Sequence, residues 1–234
     1  MRLHHIVVVC ASLLLSSVSA RAQAPADPTG HWEGSLDAHG TDVAFQVDFA
    51  KNPAGGFIGS ISIPGQRLKG LPLTKIDLDG RTITFGARSD QLMIATISPD
   101  NASMTGDFSS SAFTGAFVLT RAGGPQVASA PRSAAIGKEL EGRWTGVLDV
   151  DGGLHLVLTL ANQADGTSIA SLVNVDEGGV TIPLTVTADG PQVTLTTTTI
   201  DGRFAGTLRA TGTELAGTFT QGALSAPLTF RRQP

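Results

Sequence analysis

Three of the five histidines (His4 and His5 lie in the N-terminal leader), several aspartate pairs and one threonine-dense stretch are the residues in this chain whose types could carry chemistry. His31 and His39 bracket a short hairpin, the placement a shared metal ion would use, but no His-x-His or Cys spacing completes a ligand set. His155 stands between Leu154 and Leu156, which puts it on the polar face of an alternating strand, in water. Asp77-Leu78-Asp79-Gly80 and Asp149-Val150-Asp151-Gly152 open like calcium loops, yet the later ligands and the acidic twelfth position are missing. Both read as hairpin turns, in which glycine supplies the positive φ. Asp176-Glu177-Gly178-Gly179 reads as an acidic loop available to a partner. Thr194, Thr196 and Thr198 share one strand face, with Thr197 and Thr199 on the other, a pattern that suits cross-strand pairing or a hydrated surface. Acyl transfer would need a serine on a sharp Gly-x-Ser-x-Gly turn, and no such pentapeptide occurs. The expectation is a protein without catalytic residues, cofactor or metal.

The elements that must position these residues come from a stretch used twice. Gly30-His31-Trp32-Glu33-Gly34-Ser35-Leu36-Asp37 and Gly142-Arg143-Trp144-Thr145-Gly146-Val147-Leu148-Asp149 share Gly-x-Trp-x-Gly-x-Leu-Asp, and Trp32 and Trp144 are the only two tryptophans. The residues after each copy match as well, so the chain contains a duplication of roughly ninety residues. Val43, Phe45, Val47 and Phe49 align with Leu154, Leu156, Leu158 and Leu160, both alternating with period two. Leu71-Pro72-Leu73-Thr74 aligns with Ile182-Pro183-Leu184-Thr185, and Gly106 with Gly217. No long helical periodicity appears, and the 28 glycines fall between short apolar runs, as in strands joined by tight turns.

The reading is all-β: a tandem of two small up-and-down antiparallel barrels of about eight short strands each, since closure removes exposed edges. The first repeat spans 30–121 and the second 142–232. Residues 122–141 are a linker, rich in small residues and proline, with room for one helical turn at its end.

The N-terminus has the layout of a secretory signal peptide. Arg2 is followed by an apolar run, Ile6 to Leu15, and by small residues, which places cleavage after Ala22. Removing 1–22 takes away two arginines, no acid and the single Cys10. Of 16 basic residues 14 then remain against 20 acidic ones, a net charge of −6. That surface excludes nucleic acid as a partner. No second apolar run has the length of a membrane helix. The expected location is the bacterial periplasm or the medium.

Gly-x-Trp on the first strand of each repeat, with Arg closing the last, resembles the signature of the calycins, the lipocalin-like barrels. The resemblance implies that each Trp plugs one barrel end under an arginine: Trp32 under Arg121, and Trp144 under Arg231 (or Arg232). A second resemblance covers the second repeat. Gly142-Arg143-Trp144-Thr145-Gly146, Ile182-Pro183-Leu184, Phe204-Ala205-Gly206-Thr207-Leu208 and Gly217-Thr218-Phe219-Thr220-Gln221-Gly222 look like the noncatalytic β-module ahead of the catalytic domain in secreted bacterial α/β-hydrolases. The first repeat departs from it, with Ser109-Ser110 at the Thr220-Gln221 position.

Function is expected to be noncatalytic binding of a small apolar ligand or a secreted protein partner. The alternatives are a structural envelope protein with filled barrels and an accessory subunit of a secreted hydrolase. Leucine and threonine leave more room than phenylalanine, so the expected cavity lies in the second repeat, around Leu154, Leu156, Leu158, Leu160 and Leu195. Phe45, Phe49, Phe57, Phe85 and Phe108 are expected to fill the first.

Overall fold

A computed structural model describes residues 24–150 and 152–234; the signal-peptide reading of 1–22 lies outside them. Every regular element among the described residues is a strand, save one 3-10 turn at Pro64–Gln66. The first unit holds β1 (Gly30–Ala38), β2 (Thr41–Lys51), β3 (Phe57–Ile63), β4 (Leu68–Pro72), β5 (Lys75–Asp79), β6 (Thr82–Gly86), β7 (Gln91–Ile97), β8 (Ser103–Ser110) and β9 (Thr114–Gly123). A short β10 (Ser133–Ala134) precedes the second unit. That unit holds β11 (Gly142–Leu148), β12 (Leu154–Asn162), β13 (Thr167–Asn174), β14 (Val180–Asp189), β15 (Gln192–Thr197), β16 (Gly202–Leu208), β17 (Glu214–Gln221) and β18 (Leu224–Arg232).

Each unit is a meander whose first and last strands pair. In the second, β13-β12-β11-β18-β17-β16-β15-β14 runs round to a β13–β14 ladder, which closes an eight-stranded antiparallel barrel. The closing strand divides its partners. Val180 to Leu184 pairs with β13, and Thr185 to Asp189 pairs with β15. The first unit spreads the same task over two short strands, β4 on β3 and β5 on β6, giving a curled nine-stranded sheet. The chain joins its two outermost strands at Leu73 and Thr74, whose N–H groups donate to Gly59 and Gly86 respectively, both at 2.9 Å. The register shift between Ile61 and Ile63, with the Pro64–Gln66 turn behind it, loosens the wall there.

Alternation along the strands builds both cores. Trp32, Val47, Phe49, Ile83, Phe85, Ile97, Met104 and Leu119 are fully buried in the first. Trp144, Leu158, Leu160, Val193, Leu195, Leu215 and Phe230 are at most 2 % exposed in the second. Each large side chain so buried contributes about 1.5–3 kcal/mol of hydrophobic stabilisation. Facing rings meet edge to face, as between Phe49 and Phe85 at 5.2 Å and between Phe204 and Phe230 at 5.4 Å.

The segment 122–141 does more than connect. Ser133–Ala134 pairs with β13, and the Ser133 hydroxyl accepts the Val186 N–H at 2.9 Å. Ile136 and Leu140 are buried, at 8 % and 1 % exposure. The expected helical turn is a plain turn closed by Leu140 N–H on the Gly137 carbonyl. Its apolar residues were hidden among small ones, and they belong to the second core.

Candidate functional site

The repeated glycine and tryptophan build the same plug in both units. Trp32 lies opposite Arg121 across the β1–β9 ladder, and the guanidinium carbon sits 4.3 Å from the ring centroid. The indole N–H donates to the Pro28 carbonyl at 2.8 Å. Arg121 donates to the carbonyls of Asn101 (2.8 Å), Asp27 (2.6 Å) and Thr29. In the second unit Trp144 donates to the Leu140 carbonyl at 3.0 Å, and the arginine above it is Arg232, at 4.2 Å. Arg232 donates to the carbonyls of Gly212, Glu141 and Glu139.

Arg231 is therefore not the closing residue expected among the two candidates. Its side chain is 71 % exposed and pairs with Glu214 at 2.7 Å. The reason is strand alternation. Leu228 and Phe230 point inward, so the next inward position is Arg232, just as Arg121 follows Phe117 and Leu119. The first glycine of each motif makes room for the stack. Gly30 and Gly142 have φ of 148° and 123°, and a Cβ on Gly30 would lie 2.5 Å from Arg121 Nη1.

The unplugged end of the first unit opens into a cavity of about 510 Å³. Leu36, Phe45, Ile61, Leu71, Phe85 and Phe108 form its wall. Its polar lining residues, Gln66, Arg88, Gln91 and Glu177, lie at turns or strand ends around the rim. Val180, Ile182, Glu177 and Ile200 of the second unit border the cavity too. By register, the β13–β14 turn lies at the end of its barrel away from Trp144, so the unplugged ends of the two units face each other. Ser89 fixes this contact. Its N–H (2.9 Å) and its hydroxyl (3.0 Å) both donate to the Gly178 carbonyl.

This cavity lies in the first unit, whereas one was expected in the second repeat. Leu156, Leu158, Leu160 and Leu195 are buried in the second core, Leu154 is partly buried, and none borders this cavity. Phe45, Phe85 and Phe108 line the space they were expected to fill. The β3–β4 register shift and the 3-10 turn lie in the wall of this cavity, which Ile61, Ile63, Gln66 and Leu68 line.

A second, larger cleft of about 1160 Å³, lined by polar and apolar residues alike, separates the outer face of β2–β4 from the second unit, with linker residues Gln126 to Pro131 along it. The threonine-dense stretch faces this cleft, through Thr185 and Thr196 to Thr199. His31, Asp48 and Ser60 stand side by side in register on β1, β2 and β3, each no more than 7 % exposed. His31 Nδ1 is 2.8 Å from Asp48 Oδ1, and Nε2 is 3.1 Å from Glu33 Oε1. Gln126 N–H also donates to Asp48 Oδ1, at 2.8 Å, which ties the linker to the first unit. Burial disfavours the imidazolium, but hydrogen bonds and charge from Asp48 and Glu33 outweigh it and hold the His31 pKa above its ordinary value.

This trio is not arranged for acyl transfer. Both His31 nitrogens are engaged by carboxylates, and Ser60 neighbours Asp48 on the side away from His31. A nucleophile needs the base itself within reach. His39 is elsewhere, its ring 5.0 Å from that of Phe113, so the hairpin histidines do not converge. His155 lies at the surface, with Nδ1 3.0 Å from Asp176. Among the described residues no group of three His, Cys, Asp or Glu side chains is placed to hold a metal ion. No helix among them is long and apolar enough to cross a membrane.

No protein-family model matches the chain, and neither does any curated protein. Among solved structures, a protein of unknown function from the DUF3598 family of Nostoc punctiforme aligns over 88 % of this chain and 96 % of its own, at 13 % identity and a TM-score of 0.28. A putative outer membrane protein of Bacteroides fragilis aligns over 88 % and 97 %, at 13 % identity and a TM-score of 0.27. At those scores neither likeness bears on what the chain does.

Proposed function

We propose that this chain is an exported, noncatalytic binding protein that holds a small apolar ligand in the first unit, under cover of the second. The observation that carries the reading is the 510 Å³ space at the unplugged end, walled by aliphatic and phenylalanine side chains with polar groups only at its rim. Ligand sites are concave, mostly apolar and of about 300–1,000 Å³, with a few placed polar groups. The Trp–Arg plugs support it by sealing the opposite ends, which makes each unit a cup. The signal-peptide layout of 1–22 supports work in the periplasm or the medium, where a lipophilic molecule needs a carrier.

A neutral probe, N-phenyl-1-naphthylamine, tests the site by its fluorescence on the full chain. Binding should be saturable and at least about tenfold weaker in Leu68→Trp, where an indole intrudes from the cavity wall, a loss of about 1.4 kcal/mol. Absence of saturable binding to the folded protein would refute the reading. The dense second core, with Leu158 fully buried, favours a scaffolding role for that unit.

A further inference from the structure

We propose that the rim of the first-unit cavity selects ligands by head charge, accepting an apolar chain with an uncharged or cationic head and rejecting one with a carboxylate. The inference rests on the binding reading above and names the ligand class for the same site. An apolar interior with a polar rim orients an amphipathic ligand, tail inward and head at the turns. The head therefore meets the charges there.

Those charges are Arg88 and Glu177 on the lining and Asp90 behind them. Arg88 would be the natural partner for a carboxylate, but it is already engaged. Nε donates to Asp90 Oδ1 at 3.0 Å and Nη2 to Asp90 Oδ2 at 2.9 Å, a two-pronged pair, while Nη1 lies 3.8 Å from Glu177 Oε2. The hydrogen bond from Arg88 holds the Asp90 carboxyl below its usual range, so it stays ionised at neutral pH. One positive and two negative charges leave this cluster at −1. His39 packs its ring at a tilt against Phe113, and Asp176, beside Glu177, turns back onto His155.

The geometry also keeps Arg88 from being recruited. Gly178 has φ of 64°, and a Cβ there would lie 2.1 Å from Asp90 Oδ1, so Asp90 sits directly against the turn of the second unit. Ser89, between the two charged residues, is hydrogen-bonded to the Gly178 carbonyl. Releasing Arg88 to a ligand would leave Asp90 and Glu177 side by side without their counter-ion. An ammonium or hydroxyl head instead finds Glu177, Gln66 and Gln91 at the rim.

The test uses the full chain and three ligands with one tail: dodecanol, dodecylamine and dodecanoate, each below its micellar concentration, displacing N-phenyl-1-naphthylamine near neutral pH and low salt. The alcohol and amine should compete at concentrations about tenfold or more below those of the carboxylate, the size expected of one like charge a few ångströms away at a protein surface. The advantage of the amine should shrink as salt rises. In Asp90→Asn with Glu177→Gln the cluster becomes +1, and dodecanoate should reach parity with the alcohol or better it. Equal binding of carboxylate and alcohol to the natural chain would overturn the selectivity while leaving the cavity reading intact. So would an unchanged order in the folded double variant. Failure of all three ligands, together with the probe, would overturn the cavity reading itself.

Discussion

Arg231 and Arg232 are adjacent, chemically identical and structurally opposite, so replacing each by Met isolates what the Trp–Arg plug contributes. Met keeps most of the aliphatic stem and removes the guanidinium. At position 232 the change deletes a cation 4.2 Å above the Trp144 ring, worth about 0.5–2 kcal/mol. It also deletes hydrogen bonds to the Gly212, Glu139 and Glu141 carbonyls. Charged bonds are worth about 1.5–3 kcal/mol each when fully buried. Arg232 is only half-buried, so water recovers part of that, and the expected loss is about 2–4 kcal/mol. At position 231 the side chain is 71 % exposed and holds only a surface pair with Glu214, so the loss stays below about 1 kcal/mol. Urea unfolding followed by tryptophan emission in a Trp32→Phe background reports the second unit alone, through the buried Trp144. With a slope of about 1–3 kcal/mol per molar urea, Arg232→Met should lower the midpoint by about 1–2 M and Arg231→Met by a few tenths. Equal shifts for the two variants, or no shift for Arg232→Met, would refute the plug.

His31 gives a pH signature. Its folded pKa is raised, so its contribution is fully present below the unfolded value and is lost as pH rises through the folded one. Denaturation of a Trp144→Phe form should show the first unit weakening as pH rises above about 6.5, by about 1.4 kcal/mol for each pH unit that separates the folded from the unfolded pKa, and His31→Gln should abolish that slope. Leu140 is 1 % exposed although it lies in the connecting segment, so Leu140→Ala should cost the second unit about 2–4 kcal/mol by thermal or urea unfolding. Val118, on the outer face and 54 % exposed, should tolerate Ala within about 0.5 kcal/mol in the same assay.

Pattern alone carried the all-β architecture and its doubling. Period-two alternation is a property of neighbours in the chain, and Gly-x-Trp-x-Gly repeated with its following strands marks two copies of one fold. The partner of Trp32 came from the resemblance to the calycins, and alternation agrees with it, since Arg121 follows the inward positions Phe117 and Leu119. The same count from Phe230 reaches Arg232, so the alternation favours the second of the two candidates over Arg231. The buried Ile136 and Leu140 were obscured by small neighbours, and no local periodicity marks a segment that packs by single residues.

What only the tertiary structure decided is where space remains. Whether a barrel is filled depends on how tightly its walls close, and closure is a long-range matter. The first wall carries a register shift at Ile61–Ile63 and a break at Leu73–Thr74, whereas in the second β14 pairs with β13 along one half and with β15 along the other and so closes the barrel. Side-chain size, read residue by residue, pointed to the leucine-lined copy, and the cavity of about 510 Å³ lies in the other. The rim charge was equally invisible, since Arg88 and Glu177 are far apart in sequence and meet only because the open ends of the two units face each other. Local physics specified the two units, and their mutual placement determined which residues of the second border the cavity of the first.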